Sequence, residues 1–157
     1  MGGRNYTVTF AATAVTVAVD VFELDAAAEK PIEIYGLSIG QSSDVGDAAE
    51  EILPFVVARG NTTTGTGGTQ GVTPRPLNPS DAAAGFTADT LNTTAATAGT
   101  AVDLHRGAFN IRTGLEMWLP EGSEWGTSGA NLLVVRLAAA PTDSLTMTGT
   151  VYVRETG

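Results

Sequence analysis

The stretch Asn5–Leu24, NYTVTFAATAVTVAVDVFEL, decides the fold. Val15, Val17, Val19 and Val21 share one parity, while Thr16, Ala18 and Asp20 share the other. Alternation with a period of two puts one side of a strand in a core and the other on a surface. The pattern falters over Ala11–Thr13, which predicts two strands here. The first of them would follow a candidate N-terminal arm over residues 1–7, leaving residues 8–157 as a single β domain.

Working outward, PIEIYGLSIG (Pro31–Gly40) alternates through Ile32 and Ile34, then shifts phase at Gly36 to Leu37 and Ile39. A glycine at such a shift predicts a bulge. ILPFVVARG (Ile52–Gly60) is a further strand, with Pro54 predicting an edge or bulged position. In the second half, Phe109 and Ile111, then Leu115, Met117 and Leu119, share a parity. NLLVVRLAAAP (Asn131–Pro141) predicts a central strand. DSLTMTGTVYVRE (Asp143–Glu155) closes the chain with Leu145, Met147, Gly149, Val151 and Val153 in phase. The expectation is all-β: a single-domain β-sandwich of jelly-roll type, with eight or nine short strands.

Composition agrees and narrows the function. At 157 residues the chain can bury about 70% of its unfolded surface without staples. It has no cysteine, which removes disulfides and thiolate metal sites. Its net charge is −9 with a pI near 4.3, which disfavours nucleic-acid backbones and anionic membranes as partners. The start, MGGRNYTVTF, lacks the apolar core of a signal peptide, so assembly in a cytoplasm is expected.

Between Gly60 and Pro76 lies GNTTTGTGGTQGVTPRP. A phosphate-cradling loop of the P-loop type needs a lysine, and none is present. A dinucleotide fingerprint fits at Gly65 and Gly67 but fails at Gln70. Pro74, Pro76 and Pro79 also remove amide donors where a helix N-terminus would hold an anion. The stretch is expected to be a long mobile connection, or an arm that orders against a neighbouring subunit.

Other candidate chemistry is sparse. His105 is the sole histidine, and no G-x-S-x-G elbow accompanies it. Asp44, Asp47, Glu50 and Glu51 cluster without the spacing of a calcium loop, although Asp47 could cap a short helical turn. Glu116, Glu121 and Glu124 flank Trp118 and Trp125, a pairing that suits a sugar platform as well as an interface. Trp118 is expected in the core and Trp125 on an exposed tip. The matches to N-glycosylation sequons at Asn5, Asn61 and Asn92 are what chance gives in a threonine-rich chain. No catalytic residue, metal ligand or cofactor site is assigned.

Four stretches together resemble small structural proteins of tailed bacteriophages and their prophages: IYGLSIGQSSDVGDAAEEILPFVVARG, TPRPLNPSDAAAGF, GTAVDLHRGAFNIRTGLEMWLP and VVRLAAAPTDSLTMTGTVYVRE. The resemblance implies a non-enzymatic capsid decoration (cement) protein on the outer surface of the virion. It would be a homotrimer, with the major capsid protein as partner. Candidate interface residues are Asn5, Tyr6, Thr62, Thr64, Arg75, Trp118 and Trp125. A tail- or fibre-associated subunit and a carbohydrate-binding jelly roll are the alternatives.

Overall fold

The computed structural model describes residues 2–42 and 50–157. Asp44 and Asp47, and with them the expected helical cap, lie outside the described residues. The rest is a β-sandwich of two antiparallel sheets, with eleven strands among the described residues. These are β1 (Arg4–Val15), β2 (Asp20–Asp25), β3 (Ile32–Gln41), β4 (Ile52–Arg59), β5 (Arg75–Pro76) and β6 (Thr87–Asn92), followed by β7 (Val102–Asn110), β8 (Leu115–Trp118), β9 (Trp125–Thr127), β10 (Leu132–Leu137) and β11 (Leu145–Glu155). The first sheet runs β5-β1-β11-β3-β8, with β9 also paired to β3. The second runs β6-β2-β10-β4-β7. The strands beyond the expected eight or nine include β5 and β9, which are too short to leave an alternation in the sequence.

The expected phase shift in β3 occurs. Tyr152 pairs with Gly36 and Val153 with Ile34, so Tyr35 is the extra, bulged residue. The falter at Ala11–Thr13 does not split the strand. It is a bulge inside β1, with Ala12 at φ 46°. The candidate arm is, from Arg4 on, ordinary strand: Arg4–Thr7 pair with Glu155–Tyr152 of β11. β4 is not an edge strand, since β10 and β7 flank it. Pro54 is tolerated at the end of the β10 pairing, where its carbonyl still accepts from Ala138 N–H at 2.8 Å and only the one bond its missing N–H would have given is lost.

The core lies between the sheets and is built from the in-phase residues, among them Val8, Phe22, Ile34, Phe55, Val135 and Val151. A bulge in β2 sends Val21 and Phe22 both inward, and leaves Asp20 and Glu23 on the outer side of the second sheet. Two buried carboxylates therefore sit where solvent would be expected.

What covers them is the glycine-threonine stretch. Residues 60–74 and 93–101 form two antiparallel loops bridged at Thr63–Thr97 and Thr66–Thr94, and a further bridge, Thr69–Thr90, ties the first loop to β6. Side chains of the sheet hold this cover down. Glu23 accepts from Gly65 N–H at 2.7 Å and from the Asn92 amide; Asn92 in turn accepts from Gly68 N–H at 3.2 Å and from Gln70. Asp89 accepts from Gly71 N–H at 2.8 Å, and Asp20 from Ala96 N–H at 2.7 Å. Asp20 is also paired with Arg136. Ala96 packs on Leu132 and Val134 beneath it. The Gly60–Pro76 stretch is thus a layer of the structure and not slack chain. Its glycines allow backbone to lie on backbone: a Cβ at Gly68 would collide with the Thr90 carbonyl oxygen.

Burial raises the Glu23 carboxyl above its ordinary value of 4.5, against the lowering effect of its Asn92 and Gly65 hydrogen bonds. Asp25 is raised as well, by burial and then by Asp89. A raised folded-state pKa means that the folded chain binds the proton more tightly than the unfolded one. The associated stability is present below the unfolded pKa and is lost as pH rises through the folded one. The urea midpoint should therefore rise as pH is lowered from neutrality toward 4.5. Glu23→Gln should flatten that dependence; an unchanged slope in the variant would refute the assignment to Glu23.

Candidate functional site

The loops cover the outer side of the second sheet over β6, β2 and β10, while the outer side of the first sheet carries no such cover and is where the exposed Trp118 lies. Strand register lines up its outward residues in cross-strand rows. One row runs Arg75, Thr7, Tyr152, Gly36, Trp118 across five strands. The adjacent rows are Asn5–Arg154–Glu33 on one side and Thr9–Thr150–Ser38–Glu116 on the other.

Three aromatic rings meet near the β8 end. Trp118 and Tyr152 have centroids 4.6 Å apart, Tyr35 lies 6.0 Å from Tyr152, and Tyr35 lies 6.3 Å from Trp118. Gly36 makes this possible. A Cβ there would stand 2.7 Å from Trp118 Cζ3 and 3.0 Å from Tyr152 Cδ2, so only a glycine lets both rings lie over β3. The Trp118 Nε1–H donates to Glu116 Oε1 at 3.2 Å, which fixes the ring edge. The indole is nonetheless 55% exposed. It is an oriented ring with one side pressed on its neighbours and the other side free, the arrangement that anchors an interface or a planar ligand.

Beside the rings lies a shallow depression lined by Asn5, Tyr35, Leu119, Glu121, Glu124 and Arg154. Arg154 stands over the Tyr35 ring at 5.4 Å, and pairs with Glu124 at 3.1 Å and Glu33 at 3.6 Å. Glu124 accepts from backbone N–H groups, its own first and then that of Gly122, and from Arg154. These contacts hold its carboxyl below the usual range. The Asn5 Oδ1 is buried without a hydrogen-bond partner.

The residues singled out in the sequence divide. Asn5, Arg75 and Trp118 share the outer side of the first sheet. Thr62 and Thr64 are exposed, but on the cover of the opposite sheet. Tyr6 is not a surface residue. It is fully buried, packs edge-on to Phe86 at 5.7 Å and donates its hydroxyl to the Ala82 carbonyl at 3.0 Å. The two tryptophans exchange their expected places. Trp125 is buried on β9 against His105, with ring centroids 5.0 Å apart, while Trp118 is the exposed one. Tyr35, Tyr152 and Arg154 were not singled out. The signal for Tyr152 was its position on the outward parity of β11, between Val151 and Val153. Among the described residues, no three His, Asp or Glu side chains group so as to hold a metal ion.

Fold and site together define a β-sandwich with one sheet partly covered by its own loops and the other presenting an aromatic surface. No family model matches the chain. No curated protein matches it either. Among solved structures, VP17, a capsid protein of bacteriophage P23-77, aligns at 11% identity over 100% of this chain and 89% of its own, with a TM-score of 0.17. A TM-score that low transfers neither fold nor function.

Proposed function

We propose that this chain is a non-enzymatic structural protein of a tailed-phage virion, a decoration protein that docks on the outside of the head through the outer face of its first sheet. The observation that carries the docking role is the half-exposed Trp118, held in a fixed orientation by Gly36, Tyr152 and Glu116. Interfaces are anchored by such aromatic residues, while most surrounding contacts only exclude water. The loop cover supports a bracing role. It stiffens the opposite sheet with buried hydrogen bonds, and a plate that links neighbouring subunits must not bend. The virion assignment itself rests on the resemblance of the four sequence stretches.

The test is co-sedimentation with emptied heads of the phage whose genome encodes the chain, with light scattering of the free protein alongside. The expected results are a particle of three times the 16.0 kDa chain mass, and pelleting with the heads. Trp118→Ala should weaken pelleting by about thirtyfold, the loss expected of a hot-spot residue worth 2 kcal/mol. Trp118→Phe should retain most of it. Protein that stays in the supernatant at every concentration would overturn the docking role. A carbohydrate-binding reading is also favoured by one observation, the free planar side of Trp118 beside polar groups; a glycan array with hits that vanish in Trp118→Ala would support it instead.

A further inference from the structure

We infer that the partner offers this aromatic face a cationic side chain, an arginine that stacks on the free side of Trp118. The inference rests on the docking role proposed above and adds the chemistry of what docks. Its grounds are the charges around the rings. Glu116 touches the indole itself, Glu33 and Glu124 lie along Arg154, and Glu121 lines the same depression. The nearby cation is Arg154, already engaged by two carboxylates and by the Tyr35 ring. Arg75 sits at the other end of the row, four strands from Trp118 and about 19 Å away at the usual strand spacing.

The region around Trp118 is therefore negative, and its π-surface is attractive to a cation on its open side. A guanidinium is flat, weakly hydrated and able to stack, while its edge N–H groups reach a carboxylate. Glu116 is placed for that second contact, because its Oε1 lies 3.2 Å from Nε1 at the indole edge. An anionic ligand would meet four carboxylates here; a neutral sugar can donate its hydroxyls to them but has no charge for them to attract, so salt would not suppress its binding.

Two assays run in parallel separate this inference from the docking role. In the first, the indole fluorescence of the intact protein is followed during titration with a Gly-Arg-Arg-Gly peptide, its Gln-Gln analogue and cellohexaose. Trp125 is 8% exposed, so a ligand-dependent change reports on Trp118. The expected result is a response to the arginine peptide alone, suppressed by salt. In the second, head co-sedimentation is repeated with Glu121→Lys, an exposed position in the adjacent depression whose substitution leaves the core and the Glu116 hold on Trp118 untouched. Binding should fall at least about tenfold, since like charges facing each other across an interface are costly. Pelleting that is indifferent to salt and to Glu121→Lys overturns the inference and leaves the docking role standing. A salt-sensitive response to the arginine peptide without pelleting does the reverse. A response to cellohexaose equal to that of the arginine peptide overturns the inference in favour of a sugar.

Discussion

Arg136→Met should lower the unfolding free energy by about 3 kcal/mol, because it leaves Asp20 as an uncompensated buried charge. The Asp20 side chain is fully buried and accepts from Ala96 N–H, while the guanidinium of Arg136 engages both of its oxygens and is itself only 30% exposed. The same arginine reaches the Ala96 carbonyl at 3.4 Å, so it ties sheet to cover as well as neutralising the acid. Methionine keeps the aliphatic stem and loses both functions. For a chain of this length the expected fall in Tm is about 6–12 °C. The double variant Asp20→Asn with Arg136→Met should recover part of the loss, since the stranded charge is then gone. Equal melting temperatures for the single variant and the parent would show that the pair contributes nothing.

Gly65→Ala should cost about 2–3 kcal/mol, a large penalty for one methyl group. The added Cβ would run into the Thr94 carbonyl oxygen and stand 2.6 Å from Glu23 Oε2. Neither neighbour can yield cheaply. Thr94 is backbone-bonded to Thr66 in both directions, and Glu23 is fixed by Asn92. Relief comes only by lifting the cover, which strips Glu23 of the Gly65 N–H and leaves a buried carboxylate short of a donor. Gly71→Ala is the matched control. Its Cβ meets nothing within 4 Å, but its φ of 65° carries a backbone cost of its own, about 1 kcal/mol. Urea denaturation of both variants decides the matter: a Gly65→Ala loss no larger than that of Gly71→Ala would remove close packing as the reason for glycine at Gly65.

The sandwich was legible because its long strands alternate. In β11, Leu145, Met147, Val151 and Val153 are all buried, as their phase predicts. The same logic could have found the aromatic face. Trp118 lies out of phase with Leu115, Met117 and Leu119, which pack against the core, so its outward direction was written in the alternation. The expectation of a core tryptophan gave size precedence over phase. What could not be read was the loop cover. Its partners are asparagines and carboxylates on strands far away in the chain, and a bulge at β2 is needed to turn Asp20 and Glu23 toward it. Glycine and threonine in such a layer have the same composition as a flexible linker, because close backbone approach and chain freedom both call for residues without bulk.

The buried carboxylates also change what acidity means for this molecule. Of the chain's 17 acidic residues, Asp20, Glu23, Asp89 and Glu155 are walled off from solvent, each spending its charge on a backbone N–H, and Asp20 and Glu155 on a basic side chain as well. At close range an approaching molecule meets the exposed acids, Glu116 beside Trp118 among them, while the interior acids act as rivets that it never touches.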